Sequence, residues 1–268
     1  MLKVINKVAS PLINLLPENN RLERIWTLAK VDFKKRYYDS SLGMVWALMN
    51  PLLRLAVYTL AFAFIRSSPF ENFHIYLFSA LLCWMFFSEL TNKALKALRG
   101  KRYLIENVQF NWLDIFYSLT ISTLFGFMFN LIAYFVIGII SGVYPTLYAL
   151  WLPILVLNVC ITGLGFSLIL ATVSIFLKDI EHLWSVCILA GFWTAPIFFM
   201  LEDIEKNYPI LLYLHPVTPI MINLRNATFY HQPLDMEFFA WGWLYAIIVL
   251  GIGFFLFKKG KPYAIERM

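Results

Sequence analysis

From residue 43 onward the chain alternates between long apolar runs and short polar breaks. The first run, Gly43–Ile65, reads GMVWALMNPLLRLAVYTLAFAFI, 23 residues with one charge, Arg54, near the middle. An α-helix rises about 1.5 Å per residue and a bilayer core is about 30 Å thick, so about 20 apolar residues cross it. Five further runs follow, at 73–90, 112–140, 147–176, 183–200 and 237–257. The pattern predicts an all-α membrane protein with six transmembrane helices. The breaks carry their own signals. Arg66–Asn72 holds Pro69, the stretch after Leu90 (TNKALKALRGKR) is basic, SGVYP at 141–145 is an uncharged tight turn, and Lys178, Asp179, Glu181 and His182 form the next loop.

Two segments break the pattern. Within residues 1–42, Leu22, Ile25, Trp26, Ala29 and Phe33 recur at spacings of three and four, with most positive charges on the opposite face. This predicts an amphipathic helix on the membrane surface, or one packed on another subunit. Residues 201–236 contain Pro209, Pro216, Pro219 and Pro233, and their apolar pieces Ile210–Leu214 and Ile220–Leu224 are too short to span. Broken apolar pieces between two spans predict a re-entrant segment, 201–230, buried in protein; the alternative is a loop lying on headgroups. The domain plan is thus an N-terminal segment (1–42), a six-span domain (43–257) with an inner loop at 98–112, and a basic tail (258–268).

Composition sharpens this picture. The chain has 268 residues, 60% hydrophobic and only 14% charged, against about 25% charged in soluble domains. That excludes an ordinary water-soluble enzyme. Lys3 and Lys7 are followed by Pro11, Pro17 and Glu18 without an apolar core, so no signal peptide is expected and span 1 is expected to persist. Cys83, Cys160 and Cys187 sit in apolar runs, with neither metal spacing nor a disulfide framework.

The net charge is +6, and its placement matters more than its size. With six spans and a cytoplasmic N-terminus, 18 of the 22 Lys and Arg fall on the inner side and three on the outer, Arg66, Lys206 and Arg225. That asymmetry predicts cytoplasmic N- and C-termini in a multi-pass protein. Segment 201–230 then dips in from outside.

Arg54 is the remaining cation. A midplane Arg costs about 2.5–3.5 kcal/mol on insertion scales. It calls for a partner helix, a water-filled path or an anionic ligand, unless it is a structural Arg satisfied by a carbonyl or snorkelling to a surface. Glu89 can meet it only if the helices tilt, and Asn50-Pro51 is expected to kink span 1. Aromatics form 18% of the chain. Tyr58, Phe62 and Phe64 in span 1, with Phe192, Trp193, Phe198 and Phe199 in span 5, are candidates for a passage lining or for an interfacial belt. No phosphate loop, zinc motif or nucleophile elbow occurs, so no cofactor or metal is expected on this chain. No intramembrane chain of acids suggests a proton relay, so uphill transport needs an outside energy source.

The ordered set SSLGMVWALMNPLL (40–53), LLCWMFFSEL (81–90), ENVQFNWLDIF (106–116), FLKDIEHLW (176–184) and HPVTPI (215–220) resembles the type-2 ABC exporter permeases that move polysaccharide, such as O-antigen, capsule and teichoic acid. The resemblance covers about residues 20–258. Such permeases carry Lys-x-x-x-Phe-Pro near the inner loop between spans 2 and 3; here the matching positions run from Glu106 to Asn111, with Gln109-Phe110-Asn111.

The resemblance implies a second copy of the chain and two copies of a separate ATP-binding-cassette ATPase, which would hold ATP and Mg. The substrate would be a lipid-linked polysaccharide on undecaprenyl diphosphate, exported across the bacterial inner membrane through a channel at the homodimer interface. Tyr58, Phe62, Trp193, Phe199 and Arg54 would line the channel. Arg21, Arg24, Lys34, Lys35 and Arg36 would meet the diphosphate or anionic membrane lipid. Arg99, Lys101, Arg102, Tyr103, Glu106 and Phe110 would contact the ATPase. No nucleic-acid partner is expected. Two alternatives stand beside this: a type-2 ABC permease for a drug or small lipid, and an intramembrane enzyme on a lipid-linked sugar. The second has one candidate cluster, Glu202, Asp203, Glu205 and His215.

Overall fold

A computed structural model describes residues 20–37, 43–65, 71–108, 111–207 and 209–267, and the regular elements among them are all helical. They are α1 (Arg21–Tyr37), α2 (Trp46–Ile65), α3 (Phe73–Gly100), α4 (Arg102–Asn107), α5 (Leu113–Ile140), α6 (Leu152–Phe176), α7 (Ile180–Thr194), α8 (Leu201–Asn207), α9 (Pro209–Leu214), α10 (Thr218–Thr228) and α11 (Met236–Arg267). Short 3-10 turns precede α2 and α6.

Helix α3 is the axis of the bundle. Its apolar residues point in all directions, and such a helix is stable only where neighbours cover it on every side. Here α2, α5, α6, α7 and α10 all pack on it, and Ile75, Leu77, Phe78, Ala80 and Cys83 are fully buried. The firmest pairing elsewhere is α6 with α11, which cross at two glycines. A Cβ on Gly165 would stand 2.7 Å from the Leu250 backbone nitrogen, and one on Gly253 would stand 2.7 Å from the Gly165 carbonyl oxygen. Small residues let the backbones approach this closely, the usual device of helix packing in a membrane.

Among the described residues, five segments are long and apolar enough to cross a membrane: Gly43–Phe62, Phe73–Gly100, Leu113–Ile140, Leu147–Phe176 and Met236–Tyr263. The expected spans at 112–140 and 147–176 match closely. Between them, SGVYP closes as predicted. Gly142 takes φ +82°, Val143 N–H donates to the Gly138 carbonyl at 2.8 Å, and Gly142 N–H donates to the Ile139 carbonyl at 3.2 Å, the bond pattern of a Schellman cap.

Three boundaries differ from expectation. The helix expected to end near Leu90 continues to Gly100, and the last helix runs past Phe257 through the basic tail to Arg267. The expected fifth span, 183–200, is a 15-residue helix, α7, ending at Thr194. Pro196 stops it: the residue before a proline avoids the helical region, and Ala195 is extended at ψ 151°. Buried residues Ala195–Phe198 then carry the chain toward Tyr76.

The amphipathic helix is present as α1, with three of the five expected apolar-face residues buried. Ile25, Leu28, Ala29 and Phe33 are buried against α5, whereas Leu22 is 78% and Trp26 45% exposed. Phe33 and Trp26 both meet Phe125 of α5 edge-on, with centroids 5.7 and 5.3 Å apart. At this same end of the bundle Phe116 meets Phe257, and the Lys261 ammonium lies over Trp112. This basic end therefore gathers α1, α4, the start of α5 and the end of α11. The opposite end gathers Tyr76, the 141–151 turn, α8 to α10 and the start of α11.

Candidate export path and coupling surface

Helices α2 and α7 lie side by side against α3, joined by aromatic rings. Phe198, only 2% exposed, is the centre of the group. Phe62 stacks on it at 4.4 Å, and Tyr58 and Trp193 approach it at 5.5 and 5.4 Å. Phe192 completes the set, 5.4 Å from Tyr58. Three expected lining residues, Tyr58, Phe62 and Trp193, thus meet each other through Phe198. Phe199 stands apart: its ring is exposed and its carbonyl accepts the Tyr76 hydroxyl at 2.6 Å.

Among the described residues, the outer faces of these two helices carry no neighbour. Leu53, Val57, Leu60 and Phe64 on α2, with Leu183, Val186 and Leu189 on α7, are exposed. Arg54 belongs to this exposed face and donates through Nε to Asn50 Oδ1 at 3.1 Å. Glu89, the partner considered for it, pairs with Lys93 at 2.6 Å.

At the basic end, the expected diphosphate cations divide into two groups. Asp114, fully buried at the start of α5, accepts from Arg21 Nε at 2.9 Å and from Arg24 Nη2 at 2.8 Å. The hydrogen bond to Asp114, then its charge, raises the Arg21 pKa, so this guanidinium stays a cation. These two arginines fasten α1 to α5. Lys34 and Lys35 are exposed; Arg36 lies in α1, and its side chain is outside the described residues. Lys35 lines a groove of about 540 Å³ between α1, α3 and α5, together with Lys93, Lys96, Lys101, Asp32 and Glu89. Four ammonium groups against two carboxylates make this groove positive. Lys93 and Lys96 were absent from the predicted set, though both stand on the basic stretch after Leu90.

The inner loop holds α4, a six-residue helix. Arg102 and Glu106 pair on its exposed side at 2.6 Å, while Leu104 and Ile105 are buried and Tyr103 is half-buried. Arg99 and Lys101 stand at the bend before it and bind elsewhere in the chain. Arg99 reaches Glu181 of α7, and Lys101 pairs with Asp32 of α1. Phe110 lies outside the described residues.

At the opposite end, α10 is buried along almost its whole length. Arg225, counted in sequence as an outer-loop charge, is 3% exposed. Its guanidinium carbon lies 3.5 Å from the Tyr76 ring centroid, and it donates to the carbonyls of Tyr76 and Ile197 at 3.3 and 3.1 Å. The sequence signal for this was an Arg directly after the short apolar piece Ile220–Leu224. His215 is spent on structure, its Nδ1 accepting from Thr218 N–H at 3.2 Å and its ring lying against Trp84. Glu205 is exposed on α8, and the Glu202 and Asp203 side chains are outside the described residues. His215 is thus packed into the bundle, while Glu205 faces outward.

A multi-span helical bundle with a buried helical segment at one end and a short surface helix among basic residues at the other has the form of a transporter's membrane subunit. A family model for ABC-2 type transporters matches residues 23–229, and the chain belongs to that family. Among named proteins, it is 28% identical over 213 residues to the O-antigen export system permease protein RfbA of Myxococcus xanthus, covering 79% of this chain and 82% of that one. It is 24% identical over 231 residues to a protein of the same name from Klebsiella pneumoniae, covering 86% of this chain and 89% of that one.

Proposed function

We propose that this chain is the permease subunit of an ATP-driven exporter in a bacterial inner membrane, moving a lipid-linked, O-antigen-like polysaccharide on undecaprenyl diphosphate. The observation that carries the reading is the near full-length similarity to two O-antigen export permeases. Two copies of the chain form the channel, and two copies of an ATPase subunit bind ATP and Mg and supply the energy. The chain crosses six times, with α7 and residues 195–199 as the short fifth crossing, and both termini are cytoplasmic.

The geometry supports a channel between copies at α2 and α7. Their apolar faces are unpartnered among the described residues, and Arg54 lies on this exposed face. An arginine facing lipid tails is expensive, whereas one facing a watery or polar path is not. The groove with Lys35, Lys93, Lys96 and Lys101 is a fitting place for a diphosphate to enter. Helix α4 is the ATPase contact, with Arg102, Tyr103 and Glu106 on or near its surface.

Deleting the gene in its native host tests the reading. The expected result is loss of surface polysaccharide, with the lipid-linked polymer accumulating on the cytoplasmic side. Normal surface polysaccharide in the deletion strain overturns it.

A further inference from the structure

Arg99 occupies the last turn of α3, just before the bend at Gly100 and Lys101 that begins α4. Its guanidinium bridges two other elements. Nη2 donates to the Ser174 carbonyl near the end of α6 at 2.6 Å, and Nη1 donates to Glu181 Oε1 in the first turn of α7 at 3.3 Å. Lys96 stands 3.8 Å from the other Glu181 oxygen. On the far side of the bend, Lys101 pairs with Asp32 of α1. The foot of α4 is therefore tied in two directions, to α6 and α7 on one side and to α1 on the other.

Helix α7 lies on the surface of the bundle beyond that tie. None of its residues is buried. Trp184 Nε1 donates to Thr91 Oγ1 of α3 at 3.1 Å, one turn along; beyond it Ile188 packs on the core, Gly191 lies against the Trp84 ring, and Phe192 and Trp193 sit beside Phe198. A helix of 15 residues is about 22 Å long. A rigid element with few buried contacts moves as a body when its end is displaced.

We propose that Arg99 and Glu181 are positioning residues that carry a movement of α4 along α7 to the aromatic cluster at Phe198. The proposal rests on the reading of α4 as the ATPase contact. The force enters at the bend, passes through the Arg99 fork to the first turn of α7, and turns that helix about its Trp184 contact. Lys101 and Asp32 carry the same displacement to α1. An Arg fork holds two acceptors in fixed directions, which an ammonium does not reproduce, so Arg99→Lys keeps the charge and loses the bridge.

The test uses the full chain co-purified with its ATPase and reconstituted, comparing wild type, Arg99→Lys, Glu181→Gln and the exchange variant R99E/E181R. ATPase binding and ATP hydrolysis report the contact, and polymer exported per ATP reports the link. The native Cys187, exposed on α7, reports movement through its rate of maleimide labelling with and without ATP, in a chain with Cys83 and Cys160 replaced. The expected result is retained ATPase binding in both single variants, with export per ATP reduced on the order of five-fold or more. The ATP-dependent change in Cys187 labelling should vanish in them, and the exchange variant should recover part of the export through its restored Glu–Arg pair, without the bridge to the Ser174 carbonyl. Single variants that keep both export per ATP and the labelling change overturn the proposal. So does an exchange variant that folds and binds the ATPase yet recovers nothing. Failure of the wild-type chain to bind an ATPase instead overturns the underlying reading of α4, and the proposal with it.

Discussion

Asp114 shows how one residue fixes an element to the bundle. It is fully buried at the start of α5 and receives two guanidinium groups from α1. Removing one partner of a buried ion pair leaves a charge without its counter-charge and costs about 3–5 kcal/mol. Asp114→Ala is therefore expected to lower the unfolding midpoint in detergent and to open α1 to protease, while α3 and α6 stay protected. Unchanged protease resistance of residues 21–37 would contradict this role. The pairing was not legible in the sequence. Arg24 and Asp114 are 90 positions apart, and an acid beside a span end looks like an ordinary loop residue until the fold brings α1 to it. Arg225 misleads in the opposite way, since a lone positive charge among prolines resembles a loop cation. Only the packing of α10 against α3 and the 195–198 segment supplies the Tyr76 and Ile197 carbonyls and the Tyr76 ring that accept it.

At the scale of elements, long apolar runs were readable because their period and length answer one physical demand, the satisfaction of backbone groups in lipid. Where a run ended in turn chemistry, as at Ser141–Pro145, its boundary was readable too. Where it ended in charge, the boundary was not the end of the helix. Lys93, Lys96 and Arg99 continue α3 as good helix formers, and Lys258 and Lys259 continue α11. Pro196 carried the signal that α7 stops short. The crossing of α6 and α11 offers a test of packing. A methyl group on Gly165 meets the backbone of Val249 and Leu250, within 2.9 Å, and backbone yields less easily than a side chain. Gly165→Ala should cost about 1–3 kcal/mol by overpacking, read as a lowered unfolding midpoint. Gly251→Ala, where nothing lies within 4 Å, should leave that midpoint unchanged. Equal effects at the two glycines would contradict the close crossing.

For the whole molecule, the proposed pairing of two copies raises the question of which apolar surface would face lipid and which a second copy. Both α2 and α11 expose apolar side chains, among them Val57 at 60% and Ile247 at 62%. Arg54 separates the two surfaces, because an arginine belongs on the one that meets protein or water. In a chain without its native cysteines, Val57→Cys should cross-link copy to copy in membranes and Ile247→Cys should not. The reverse pattern would move the channel from α2 and α7 to α11.

The central claim is that this chain is a transport subunit driven by a separate ATPase on behalf of a lipid-linked glycan. The most direct measurement is to express the chain with the ATP-binding-cassette ATPase proposed as its partner, purify on this chain, and assay ATP hydrolysis with and without lipid-linked glycan. The account predicts a stable complex whose hydrolysis responds to the glycan. A folded chain that retains no ATPase, or a complex indifferent to the glycan, would contradict it.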